Sequence, residues 1–332
     1  MADDAQGPQS LASQAFLGRH IVSVEDISRE EILLLLDVAR RMQRHDGGPG
    51  AGWGPTPRTL EGRLLGLLFF EPSTRTRLSF ESAVLRLGGS PLGFADARMS
   101  SLTKGESLVD TVRVVEGYCD AIVLRHPREG AARLAAEVAH VPVINGGDGS
   151  NQHPTQTLLD LFTIREATSR LEGLRVGFMG DLRYGRTVHS LATALCQFDV
   201  ELSFVGPEGL RFPAGLREHV AAAGRLGREV EHLDQLDGLD VLYITRIQKE
   251  RFPDPIDYER VRDAYRVDRA ALARFGEDLK ILHPLPRVNE VAPDVDDHPG
   301  ALYFQQSRNG VAVRMALLHL LLGGAALPEE VA

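Results

Sequence analysis

The sequence predicts an α/β fold made of two domains, each built on a parallel sheet, with the active site in the cleft between them. Three observations lead there. At 332 residues the chain is long for one core, given about 150 residues per domain. From residue 64 onward, short apolar runs alternate with amphipathic stretches of helical period, the rhythm of β-α-β units. The segments richest in Ser, Thr, Arg and His follow directly on the apolar runs, where open parallel sheets bind ligands.

The first helix is marked by Ser28 with Glu31 three residues later, a capping-box pattern, ahead of Ile32 to Met42 at helical spacing. Gly47–Pro57 is rich in glycine and proline, carries the only tryptophan, Trp53, and reads as a peripheral loop. Strands are expected at Leu64–Phe70, Pro91–Ala95, Ala121–Arg125 and Pro142–Asn145, separated by helices at Thr74–Leu87, Glu106–Tyr118 and Ala131–Val138. A second set of strands is expected near Arg175–Gly180, Glu201–Val205, Val241–Thr245 and Lys280–Leu282, with helices between. The helix Thr155–Arg170 marks the boundary. The division is then a tail at 1–17, a first domain at 18–155, a second at 156–307, and a C-terminal segment, 308–332, whose helix Val311–Leu322 can pack back on the first domain.

Composition excludes several classes of function. A hydrophobic content of 43% with 25% charged residues is ordinary for a soluble globular protein, and no apolar run approaches the roughly 20 residues of a membrane span. A net charge of −9 argues against general nucleic-acid binding, so local arginine clusters are expected to serve small anions. Cys119 and Cys196 have no close pairing and no zinc-ligand spacing, and both read as buried small hydrophobes. Met1–Ala15 is acidic and polar, lacks the basic start and apolar core of a signal peptide, and reads as a cytoplasmic tail.

Glu71-Pro72-Ser73-Thr74-Arg75-Thr76-Arg77 sits where a buried strand hands over to a helix. A first helical turn points unpaired N–H groups and the positive end of its dipole outward, and here hydroxyls and guanidiniums crowd the same turn. A serine at such an N-cap is commonly structural. Two arginines and three hydroxyls within Ser73–Arg77 favour a phosphate-sized dianion, held without a metal. Arg125-His126-Pro127, Gly147–Gln156, Gly180–Thr187 and Thr245–Arg251 are similarly polar strand ends, and the prolines of His283-Pro284-Leu285-Pro286-Arg287 fix a loop and expose its carbonyls.

Taken in order, Phe70–Arg77, His153-Pro154-Thr155-Gln156-Thr157, Thr245-Arg246-Ile247-Gln248-Lys249-Glu250-Arg251 and His283–Arg287 resemble the catalytic chain of aspartate carbamoyltransferases, over about Gly18 to Leu322. The resemblance implies transfer of a carbamoyl group from carbamoyl phosphate to the amine of L-aspartate, early in pyrimidine biosynthesis, with no metal or cofactor. It implies that Ser73, Thr74, Arg75 and Thr76 hold the phosphate, while Thr76, Arg125 and His153 converge on the carbonyl oxygen. Gln156 and the carbonyls around Pro284, Leu285 and Pro286 would take the carbamoyl NH₂, the carbonyls also serving the incoming amine. Arg186 and Arg246, with Gln248, would take the carboxylates of aspartate, and Glu71 would pair with Arg186 and Arg251 in domain closure. In the family a serine and a lysine from a loop reach into a neighbouring subunit's site, which makes the unit a homotrimer with shared sites. Here these are Ser101 and Lys104, with Ser100 the other candidate because the family's loop can be one residue longer. Regulatory or dihydroorotase chains accompany some members.

Other readings fit less well. Gly180–Thr187 nearly spells a nucleotide-binding G-x-x-x-x-G-K-[ST] loop, but Arg186 replaces the lysine and Asp181 would sit beside the phosphates. Its glycine spacing is not that of a dinucleotide site, although Glu201 lies about 20 residues on. A carbamoyltransferase for ornithine should offer acidic or neutral partners to a terminal ammonium, where this chain has Arg246, Gln248 and Lys249. That family shows Cys where Pro284 stands. A non-catalytic homologue within a larger complex is disfavoured because every expected ligand type is present.

Overall fold

The computed structural model describes residues 15–43, 56–95, 105–247, 254, 256, 258–259 and 265–323. It resolves into two compact units, Met1–Leu158 with Asn309–Ala332, and Leu159–Arg308. The chain passes from one to the other inside helices, within Pro154–Thr168 and within Tyr303–Leu321.

The first unit is organised by β1 (Leu64–Phe69), β2 (Ser90–Phe94), β3 (Ala121–His126) and β4 (Val143–Asp148), all parallel, in the order β2-β1-β3-β4. Parallel neighbours need a crossover, supplied by α2 (Thr74–Arg86), α3 (Leu108–Val115) and α4 (Ala131–Val138), while α1 (Arg29–Gln43) precedes the sheet. The central strands β1 and β3 are buried over nearly their whole length and read as continuous apolar runs rather than alternating ones. Leu68, Ile122 and Leu124 pack with Ala131, Ala132 and Ala135 of α4. Cys119 lies against Gly66, where an added Cβ would come within 2.9 Å of its sulfur, and burial pushes its thiol pKa up to about 11. Cys196 departs from the expected burial. It caps the C-terminus of a helix in the second unit and is only half buried.

Capping explains the helix boundaries. The Ser28–Glu31 box forms, with the Ser28 N–H donating to Glu31 at 2.9 Å and the Glu31 N–H to Ser28 Oγ at 3.3 Å. Helix α3 begins two residues later than its pattern suggests because Ser107 is the N-cap, its Oγ accepting from the Asp110 N–H at 3.1 Å. The last helix starts at Tyr303 rather than Val311. Its first turns carry Gln306 and Asn309, which are buried yet polar and so hide the helical period; Asn309 accepts from Gln43 Nε2 of α1 at 2.8 Å.

The second unit has β5 (Leu174–Met179), β6 (Val200–Val205), β7 (Leu226–Val230), β8 (Val241–Ile244) and β9 (Lys280–Leu282), again all parallel, in the order β7-β6-β5-β8-β9. Pro154–Thr168 is α5; α6 (Arg186–Leu195), α7 (Ala214–Ala222) and α8 (Arg269–Leu272) follow, and Tyr303–Leu321 is α9. Met179, Leu242, Ile244, Val267, Ile281, Val291 and Tyr303 form a core on one side of this sheet. Strand β7 has no counterpart among the expected strands. It is an edge strand of sequence Leu-Gly-Arg-Glu-Val with two exposed charged side chains, and it lacks apolar alternation. Among the described residues no helix is long and apolar enough to cross a membrane.

In the first unit, α9 carries His319, whose Nδ1 lies 3.1 Å from Thr59 Oγ1. Burial, with a smaller contribution from Arg41, lowers its pKa from 6.5 to about 4. The folded chain therefore binds fewer protons here than the unfolded chain between those values. This contribution to stability is complete above 6.5 and is lost as the pH falls toward 4. The urea midpoint should drop on going from about pH 7 to about pH 5, and should drop less in His319→Asn, which keeps a partner for Thr59. An equal drop in both proteins would remove His319 from this role.

Candidate active site

In each sheet the chain turns back at a defined place. In the first unit β1 leads outward to β2 and β3 leads the other way to β4, so the loops after β1 and β3 flank the switch point. The first loop runs through Glu71–Ser73 into the first turn of α2, which carries Thr74–Arg77, and the second holds Pro127–Gly130.

Ser73 is the N-cap of α2 with an extended backbone, φ −156°, and its side chain makes no capping bond to the helix. Its hydroxyl therefore does not serve the structural role that N-cap serines usually have. Thr74 and Arg75 are exposed, Thr76 is buried, and Arg77 pairs with Glu81 one turn on at 2.7 Å. Of the two arginines in the turn, Arg77 is thus tied to its own helix. The Thr76 hydroxyl lies 3.4 Å from Nε2 of His153, which immediately precedes α5 and is 4% exposed. Arg125, on β3 and 9% exposed, donates to the Gly146 carbonyl at 3.0 Å and forms an ion pair with Glu71 at 2.6 Å. Gln156 is half buried in the first turn of α5, its N–H donating to the His153 carbonyl at 2.9 Å. Ser73–Thr76, Arg125, His153 and Gln156 are thereby gathered at the carboxyl ends of β1, β3 and β4.

Two groups absent from the sequence-based candidates hold these loops. Asp148, 1% exposed at the end of β4, accepts from the Gly130 N–H at 2.8 Å, Asn145 Nδ2 at 2.8 Å, Asn151 Nδ2 at 3.1 Å and the Gln152 N–H at 3.1 Å. It ties the loop after Arg125 to the loop before His153. Arg314 of α9, 2% exposed, donates to Thr155 Oγ1 at 3.2 Å and lies 4.9 Å from the ring centroid of Phe80 on α2. Asp148 stands beside Gly149-Ser150-Asn151, a turn composition that marks a structured loop, whereas Arg314 lies within the apolar stretch Val311–Leu318 of α9 with no local signal.

In the second unit β5 leads to β6 and β7 on one side while β8 leads to β9 on the other, so the switch point lies between β5 and β8. The loop after β5 is tight. Gly180 has φ +115°, and a Cβ there would meet the Thr245 carbonyl at 2.1 Å. Asp181 is fully buried, accepts from the Tyr184 N–H at 2.9 Å, and donates its own N–H to Thr245 Oγ1 at 3.1 Å. Its carboxylate is used inside the turn. Arg186 is the first residue of α6, and Arg246 follows β8, both half buried. His189 donates through Nε2 to the Leu182 carbonyl at 2.8 Å, and burial lowers its pKa. In the loop after β9, Leu285 has φ +55° and the Leu285–Pro286 peptide is cis. Arg287 is paired with Asp296 and lies over the Tyr303 ring, 5.1 Å from its centroid. Ser100, Ser101, Lys104, Gln248, Lys249 and Arg251 lie outside the described residues.

Two family models match the chain: the carbamoyl-phosphate-binding domain of aspartate/ornithine carbamoyltransferases over residues 19–166, and their Asp/Orn-binding domain over 172–321. The chain belongs to the aspartate/ornithine carbamoyltransferase family. Within it, the chain is similar to the aspartate carbamoyltransferase catalytic subunit of Thermococcus onnurineus, with 56% identity over 92% of this chain and 97% of that one. The catalytic subunit of Methanocaldococcus jannaschii aspartate transcarbamoylase superposes with TM-score 0.83 at 53% identity, covering 92% of this chain and 98% of that one. Aspartate transcarbamoylase of Trypanosoma cruzi, solved with N-(phosphonacetyl)-L-aspartic acid, gives TM-score 0.85 at 38% identity, covering 93% and 97%. The same protein has been solved with carbamoyl phosphate and aspartate, at TM-score 0.85 and 38% identity, covering 93% and 98%.

Asp148→Ala would leave the buried Asn145 amide without this acceptor, at a cost of about 1–3 kcal/mol before relaxation, and would also remove the partly buried bonds from Gly130, Asn151 and Gln152. The expected result is a large loss of stability in chemical denaturation, with Asp148→Asn intermediate because one acceptor oxygen remains. A midpoint unchanged in Asp148→Ala would show that the loop does not depend on this carboxylate.

Proposed function

We infer that the protein transfers the carbamoyl group of carbamoyl phosphate to the α-amino group of L-aspartate, yielding N-carbamoyl-L-aspartate and phosphate. Relatives above 50% identity over nine-tenths of the chain are catalytic subunits for this reaction. The observation that carries the reading is the cluster of Thr76, Arg125 and His153 beside the N-cap of α2, a set of donors fitted to a small phosphorylated carbonyl compound. We assign Ser73, Thr74, Arg75 and Thr76 to the phosphate, held by hydroxyls, a guanidinium and the helix N-terminus. Thr76, Arg125 and His153 take the carbonyl oxygen, where negative charge grows as the amine attacks carbon. Collapse of that intermediate breaks the bond to the phosphate oxygen, and the proton shed by the amine can leave with the phosphate. Such preorganised donors are worth about 2.7–4 kcal/mol of barrier each. Gln156 and the Leu285 and Pro286 carbonyls are assigned to the carbamoyl NH₂, and Arg186, Arg246 and Gln248 to the carboxylates of aspartate. Fork-shaped guanidiniums suit two carboxylates and repel the ammonium of ornithine.

The decisive assay offers carbamoyl phosphate with aspartate or ornithine in parallel. Turnover is expected with aspartate alone, and none with aspartate would sink the assignment. His153→Ala should lower kcat by roughly 10²-fold, with the inhibition constant of inorganic phosphate little changed. A wild-type rate would remove His153 from the carbonyl.

We further propose a cytoplasmic homotrimer acting early in pyrimidine biosynthesis, with Ser101 and Lys104 entering a neighbour's site and with regulatory or dihydroorotase chains as candidate partners. What supports this is family membership and the position of both residues in the segment between β2 and α3. If sites are shared, exchanging subunits between inactive Lys104→Ala and inactive Arg75→Ala proteins should restore part of the activity. Persistent inactivity despite demonstrated exchange would refute shared sites.

A further inference from the structure

The second unit contains a buried histidine–carboxylate pair that none of the roles above employs. His283 and Glu290 are 1% and 4% exposed, with Nε2 2.7 Å from Glu290 Oε1. The other ring nitrogen, Nδ1, lies 2.9 Å from the backbone nitrogen of Leu285. A backbone N–H can only donate, so Nδ1 is the acceptor and a neutral ring carries its proton on Nε2, directed at Glu290. Burial lowers the pKa of His283 against the opposing pull of Glu290. For Glu290 burial acts upward, but the bond from His283 and backbone N–H groups outweigh it and lower its pKa. The pair is a neutral imidazole donating to a carboxylate. Glu290 is in turn held by the N–H groups of Val288 and Asn289, each at 3.1 Å.

This arrangement bears on one strained residue. Leu285 has φ +55°, a left-handed conformation that is unfavourable for a residue with a Cβ and persists only where neighbours impose it. The bond from its N–H to His283 Nδ1 is such a constraint: it holds the Pro284–Leu285 peptide, and the Leu285 carbonyl, one peptide further on in the cis Leu285–Pro286 link, is placed from that fixed peptide through the dihedral angles of Leu285. The backbone of His283 is anchored separately. Its N–H donates to Gln306 Oε1 at 2.9 Å, Gln306 donates to Asp160 at 2.6 Å, and Asp160 accepts from the Tyr243 hydroxyl at 2.8 Å. Loss of Glu290 would thus release the ring and its tautomer while the strand end stays in place.

We propose that Glu290 is a positioning residue which, through the tautomer and orientation of His283, holds the Leu285 carbonyl ready for the N–H of the carbamoyl group and so sets the preference for carbamoyl over acyl donors lacking that N–H. The proposal rests on the assignment of the Leu285 carbonyl to the carbamoyl NH₂ made above.

The test compares carbamoyl phosphate with acetyl phosphate, which carries a methyl group in place of NH₂, using the full-length protein. Wild type should bind carbamoyl phosphate about tenfold or more tighter than acetyl phosphate, the worth of one good hydrogen bond. Glu290→Ala should lose most of that preference, through weaker carbamoyl phosphate binding, with the constants for acetyl phosphate and inorganic phosphate unchanged. Glu290→Gln, which still accepts from Nε2, should restore it. His283→Asn should retain the preference without needing Glu290, because an Asn side chain accepts from the N–H two residues on. The double variant His283→Ala, Glu290→Ala should lose no more than His283→Ala alone. If wild type discriminates and Glu290→Ala discriminates equally, or weakens all three ligands alike, the proposal is wrong while the role of Leu285 stands. If wild type fails to discriminate, the role of Leu285 falls and the proposal with it. Should Glu290→Ala not fold, His283→Asn and Glu290→Gln decide the matter, and loss of the preference in both would overturn it.

Discussion

Every strand in both sheets runs parallel to its neighbours, and a parallel pair cannot be closed by a tight turn. Each strand must instead hand over to a crossover, so within each sheet all the loops that leave strand ends emerge at the same edge. Where the strand order reverses, adjacent loops diverge and leave room for a ligand. In the first unit this reversal falls between β1 and β3 and brings together the N-terminus of α2, Arg125 and, one strand further, His153. In the second it falls between β5 and β8, where Arg186 and Arg246 stand. The chemistry proposed for the chain follows from this constraint, because it needs anion ligands and carbonyl polarisers rather than a nucleophile of the protein's own.

Holding these loops requires polar groups in places that water does not reach. Asp148 gathers donors from two loops, and Arg314 is enclosed by Thr155 and the ring of Phe80. His283 and Glu290 do the same for the turn at Leu285. Such groups are costly to bury unless each bond is made, so they tolerate few alternative loop geometries. The guanidinium of Arg125 is itself divided between Glu71 and the Gly146 carbonyl, which fixes the direction of the charge it can offer.

Most of the architecture was legible in the chain because buried parallel strands are written as unbroken apolar runs, as in Leu64–Phe69 and Ala121–Leu124. The misses share a cause. Strand β7 sits at an edge and presents Arg228 and Glu229, so nothing in its pattern marks burial. The first turns of α9 read as polar because Gln306 and Asn309 find their partners on other elements, Asp160 and Gln43. Cys196, small and preceded by Ala194 and Leu195, lies at a helix end where it stays half exposed.

The sequence alone determined the two-domain α/β class, the family, and the clusters at Ser73–Thr76, His153–Gln156 and His283–Pro286, because these are local: consecutive residues on one turn or loop. Only the tertiary structure could decide the pairings that cross the chain. Glu71 with Arg125, Thr76 with His153, Arg314 with Thr155 and Gln306 with Asp160 are separated by tens to more than a hundred residues. Such pairs leave no periodic trace, since a buried polar partner is chosen by where the sheet order places it and not by its distance along the chain.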